Sequence, residues 1–145
     1  MSLPDWVKNG WLAAHNSSRD EIHNLLGIVA RDLKDSRAEG VSNDWRFAIA
    51  YNAALQAATA ALAAAGYRAS RDSAHYRVIQ SLELTIGKDA KFIRIFDAFR
   101  KKRNVSNYDI GGGISNREVE EITAVAEALS HEVPAWIHAN HPALL

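Results

Sequence analysis

"DWRFAIAYNAALQAATAALAAAGYR", residues 44–68, decides the fold. Alanine is the strongest helix former, and the stretch holds no proline and no glycine before Gly66, so it reads as one long helix. Phe47, Tyr51, Leu55 and Leu62 supply its large apolar contacts. The alanines between them let neighbouring helices come close. Ser42 or Asn43 caps its start, and Gly66 is its natural stop.

Outward from this helix the apolar period stays near 3.6 residues, and no run alternates with period two. A short helix is expected from Asp5 to about His15. Ser17 or Ser18 then caps a helix whose stripe is Ile22, Leu25, Leu26, Val29 and Leu33, closed by Gly40. Beyond the alanine-rich helix, Asp72 or Ser73 opens one with Tyr76, Ile79, Leu82 and Ile86 on one face. Asp89 opens another with Phe92, Ile93, Phe96 and Phe99. Ser115 and Glu118 have capping-box spacing ahead of Val119, Ile122, Ala126, Leu129 and Val133, and Pro134 should end or kink that last helix. The tail keeps Trp136 and Ile137 and should pack back. The expected fold is all-α: an up-and-down bundle of four main helices plus a short N-terminal helix, in a single domain over 1–145.

Composition removes several chemistries. There is no cysteine among the 145 residues, which excludes disulfides, thiolate metal sites and cysteine nucleophiles. The histidines, at 15, 23, 75, 131, 138 and 141, form no His-Glu-x-x-His or Glu-x-x-His pattern, so no metal is expected and no cofactor is implied. No apolar run reads as a membrane span and no leader is seen; a cytoplasmic protein is expected. Seventeen basic residues balance 17 acidic ones. Yet basic residues dominate from Lys88 to Arg103, and acidic ones from Glu118 to Glu132. Such segments either attract one another as helix faces or leave a local anion-binding face.

The basic segment ends in "RKKRNVSNYDIGGG", residues 100–113. Cations offset the dipole at a helix C-terminus, which accounts for Arg100, Lys101, Lys102 and Arg103. It does not account for Asn104, Tyr108, Asp109 and three glycines in that order. "GGGIS" lacks the Lys-Ser or Lys-Thr of a Walker loop, although a glycine-rich turn before a helix can offer amides to an anion.

The alanine-rich helix with its Tyr-Asn-Ala-Ala and Gly-Tyr, the following "AHYRVIQSLELTIG" and the "RKKRNVSNYD" motif together resemble the HEPN superfamily of small helical bundles, over most of residues 18–133. The resemblance implies a homodimer with two motifs facing each other. It implies RNA or nucleotide binding, and in many members metal-independent RNA cleavage in toxin–antitoxin or phage-defence systems. Some members are partnered by a nucleotidyltransferase or an antitoxin. Carried over, Arg103 matches the motif arginine and Asn104 its polar neighbour, while Tyr108 stands where the family has histidine. Arg103, Asn104 and Tyr108 are then the catalytic candidates, and Arg100, Lys101, Lys102, Arg103 and Asp109 the phosphate- or RNA-binding ones. A phenol with an ordinary pKa near ~10 is a poor base at neutral pH, so the resemblance implies binding with weak or absent cleavage. An active ribonuclease would need a histidine from elsewhere, His75 or His131. A purely structural helical dimer is the third alternative.

Overall fold

The computed structural model describes residues 1–108 and 113–145, with side chains described for 1–104 and 113–145. The chain is mainly all-α. Its helices are α1 (Leu3–Lys8), α2 (Arg19–Ser36), α3 (Asn43–Ala64), α4 (Ala74–Ser81), α5 (Ala90–Tyr108) and α6 (Asn116–Asn140), with a 3-10 turn at Pro142–Leu144. A two-stranded antiparallel sheet joins β1 (Leu12–Ala14) to β2 (Tyr67–Ala69), with Ala13 opposite Arg68.

Four of the expected caps hold, while Ser73 precedes α4 without a side-chain cap bond. Ser18, Ser42 and Ser115 each accept a hydrogen bond from the backbone amide three residues on, at Glu21, Trp45 and Glu118. Asp89 does the same for the Phe92 amide at 2.8 Å, opening α5. The Ser115–Glu118 capping box is complete, because the Glu118 carboxylate also accepts from the Ser115 amide. These bonds hold the Glu118 carboxyl below its ordinary pKa, the Ser115 amide contributing most.

Four expectations about secondary structure need correction. The first helix starts at Leu3, capped by Ser2, and ends at Lys8 rather than His15. Asn9 caps it and Gly10 takes a φ of +79°, a left-handed turn suited to glycine. The chain then enters β1, a strand that period-two reading missed because each strand is three residues long. The third correction is α4, which stops at Ser81. Turns run from there to Gly87, whose amide bonds the Leu82 carbonyl at 3.0 Å, while Ile79 and Leu82 stay fully buried. Finally, of the two outcomes expected at Pro134, the helix does not end there: Pro134 lies inside α6, which continues to Asn140. The tail does pack back: Ile137 is fully buried, and the His23 ring lies 3.1 Å from the Leu145 carbonyl.

One cluster of buried residues draws on all six helices and β1. Its axis is α3, in which every residue from Arg46 onward is buried or half-buried. By length and composition α3 is apolar enough to cross a membrane, which corrects the reading that no run qualifies; 72% of that stretch is buried inside the protein. Alanine gives it that character, since Ala50, Ala53, Ala54, Ala57, Ala58, Ala60 and Ala61 carry no charge and are fully buried. A buried carboxylate, Asp32 of α2, accepts hydrogen bonds from Asn52 of α3 at 2.7 Å and Arg31 at 3.0 Å.

Candidate functional site: the end of α5 against α3 and α4

The basic run ends α5, and helical geometry divides it. Successive residues turn by about 100°, so four consecutive cations cannot share one face. Lys101 points outward and lies 3.8 Å from Asp97. Lys102 turns toward α6 and lies 3.5 Å from the Glu118 carboxylate. A second bridge, Lys88 to Glu132 at 3.0 Å, ties the start of the basic segment to the acidic helix as well. The two charged segments thus attract each other, as one of the two sequence readings expected.

Arg100 and Arg103, three residues apart, turn to the α3–α4 side. The Arg100 Nε donates to the nearly buried Asp97 at 2.7 Å, and its guanidinium carbon lies 5.5 Å from the centre of the Tyr76 ring. Arg103 places its guanidinium carbon 5.4 Å from the centre of the Tyr51 ring. Tyr51 is almost fully buried in α3, edge-on to Phe96 at 5.9 Å between ring centres. Its hydroxyl makes a long hydrogen bond, 3.4 Å, with Nδ1 of His75 from α4. Three helices therefore deliver Arg103, Tyr51 and His75 to one place.

Their protonation follows from that company. Burial pushes the Tyr51 phenol up to about 12, against the opposing pull of Arg103 and Arg100. It therefore stays protonated at neutral pH. His75 is shifted down, first by partial burial and then by the positive charges of Arg103 and Arg100. It is neutral at pH 7, accessible to solvent, and held by a bond at only one nitrogen among the described residues. A neutral imidazole beside two guanidinium groups can bind an anion's proton-bearing edge or take up a proton.

Of the candidates read from sequence, Arg103 and Arg100 meet here with His75, while Lys101 and Lys102 point elsewhere. Asn104 follows Arg103 and is exposed. The Tyr108 side chain, Asp109 and most of the glycine turn lie outside the described residues. His131, the other alternative base, is exposed 3.6 Å from Glu127, a carboxylate that Arg37 also engages. Sequence reading missed Tyr51 as a hydrogen-bond partner, along with Tyr76 and Arg77. The one available signal was the tripeptide His75-Tyr76-Arg77, a titratable, an aromatic and a cationic group together. Among the described residues, no three His, Asp or Glu side chains gather as a metal site.

No protein-family model and no curated protein matches this chain.

Proposed function

We propose that the chain is a HEPN-like protein that binds RNA or nucleotide phosphate at the end of α5, as part of a toxin–antitoxin or defence system. The observation that carries the reading is the convergence of Arg103 with His75 over Tyr51, on the helix end where the resemblance locates the motif. Arginine suits a phosphate because its planar fork donates two parallel hydrogen bonds. A homodimer in the cytoplasm, with a cognate nucleotidyltransferase or antitoxin, belongs to the same proposal through the resemblance alone.

The test is titration of single-stranded RNA in chelator at two salt concentrations. Arg103→Ala should weaken binding by about 1–3 kcal/mol, the range of a charged hydrogen bond, and lower the salt slope by roughly 0.7 for one lost phosphate contact to a single strand. Unchanged affinity and slope would sink the reading. A second reading, metal-independent RNA cleavage, is favoured by His75, an imidazole shifted below its ordinary pKa and so able to accept a proton at neutral pH, where the Tyr108 phenol is not. In that case His75→Ala abolishes cleavage in chelator while RNA is still retained. The imidazole itself checks the geometry by NMR: removing Arg103 should raise its pKa toward the ordinary 6.5.

A further inference from the structure

Beside the Arg103 site, cations and aromatic rings alternate across the surface of α4. The Arg77 guanidinium carbon lies 3.6 Å from the centre of the Trp11 ring, close enough to stack, and Trp11 meets Trp6 edge-on at 5.7 Å. On its other side Arg77 lies 5.1 Å from the Tyr76 ring centre. Arg100 is 5.5 Å from that same ring, and three residues further along α5 comes Arg103. The row therefore runs from the β1 turn to the proposed phosphate site without a break.

Arg77 differs from its neighbours in the row. Arg100 is satisfied by Asp97. The Arg77 side chain has no ion pair and no hydrogen bond among the described residues; its contacts are the rings of Trp11, Tyr76 and Trp6. The side chain is half-buried, and a guanidinium that stacks by its face keeps the five N–H donors around its edge available to other partners. Stacking also removes most of the side-chain freedom that binding would otherwise have to freeze. A purely structural clasp between the β1 turn and α4 needs the stacked face alone, and apolar atoms would serve it. A positive charge kept there without a carboxylate is what a phosphate subsite requires.

We infer that Arg77, with Tyr76 beside it, forms a second phosphate-and-base subsite, so that the ligand is a single strand of RNA several nucleotides long rather than a mononucleotide. Arg103 holds one phosphate and the Arg77 edge holds another. Tyr76, between them, offers to the intervening nucleotide a ring and a hydroxyl with no hydrogen bond among the described residues. This rests on the phosphate-site reading of Arg103 and adds the direction in which the strand leaves it.

The experiment is a length series of UMP, U2, U4 and U8 on the full chain, with an eight-residue oligoglutamate as an acidic peptide of matched charge. Wild-type affinity should rise at least tenfold from UMP to U8. In Arg77→Met, which keeps the stem against Trp11 and removes the donors, that ratio should fall to about two or less. Arg77→Lys, which keeps the charge without the fork, should give an intermediate ratio. In wild type, the Arg77 side-chain Nε–H resonance should shift with U8 and not with UMP, a readout independent of any variant's folding. A flat length series with Arg103-dependent UMP binding overturns the subsite and spares the phosphate site. No binding at any length overturns both. Oligoglutamate binding as tightly as U8, and equally dependent on Arg77, overturns RNA in favour of an acidic protein partner.

Discussion

The two sides of α3 hold their neighbours by different means. Toward α4 and α5 it projects Phe47 and Tyr51, which meet Phe99 and Phe96 edge-on at 5.6 and 5.9 Å between ring centres. On the side away from Tyr51 it projects Ala53, Ala57, Ala60 and Ala64, spaced to recur on one face, and all of them are buried. Its most extensive packing is against α2 and α6. Where side chains are methyl groups, backbones approach and the interface is sealed. Where rings keep the helices apart, aromatic edges and a hydroxyl reach the boundary, and Arg100, Arg103 and His75 gather around them. The candidate site lies on the side where large side chains bring a buried hydroxyl up against the polar groups of α4 and α5.

Deleting a ring is the strongest way to break that contrast. Phe96 is fully buried and touches both Tyr51 and Phe92 by its ring. Phe96→Ala should cost about 3–5 kcal/mol in denaturant unfolding, since a large cavity cannot close completely. It should also loosen Tyr51 and so weaken the proposed RNA binding without removing a residue proposed to touch the ligand. A loss under ~1 kcal/mol would mean that the aromatic side is not what spaces α3 from α5.

The alanine side is perturbed by addition instead. Ala60 is fully buried on the face opposite Tyr51. Ala60→Leu should cost on the order of 1–3 kcal/mol from overpacking while leaving Arg103-dependent binding intact. A cost within ~0.5 kcal/mol, typical of a surface position, would show room that the comparison denies.

This contrast also marks what the sequence could reveal. The alanine-rich helix, its caps and its glycine stop were legible because they depend on neighbours within a few residues: Ser42 on the Trp45 amide, Ser115 on Glu118. The β1–β2 pair was not, since Leu12 meets Ala69 across the whole of α2 and α3 and three residues cannot show a period. Nor did Pro134 break α6, although it lacks the amide that helix continuation uses; the residues after it are drawn back to the core through Ile137. At the candidate site, the sequence offered Arg103 through its resemblance to a motif, which remains a proposal. Its partners Tyr51 and His75 come from two other helices, and only the packing of α3, α4 and α5 brings them together. Lys101 and Lys102 looked equivalent to Arg103 in sequence, and helical turn alone sends them to other faces.

The smallest effect is the most specific, because it tests the hydroxyl that joins the two regimes. Tyr51→Phe keeps the ring against Phe96 and removes only the 3.4 Å bond to His75. At neutral pH that should cost about 0.5–1 kcal/mol, the low end for a hydrogen bond of that length. In alkali the order should change. The wild-type phenol is raised from its ordinary 10.0 to about 12 in the folded chain, chiefly by burial. The stability linked to keeping that proton is complete below the unfolded value and is lost as pH climbs from there through about 12, because the unfolded chain releases the proton first. Tyr51→Phe has no such proton to lose. Chemical unfolding of both proteins at steps between neutral pH and pH 12 should therefore show the wild-type advantage shrinking above ~10 and then reversing in favour of Tyr51→Phe. Parallel curves across that window would mean that the Tyr51 hydroxyl is not enclosed between α3, α4 and α5, and that His75 is held near Arg103 by something other than this phenol.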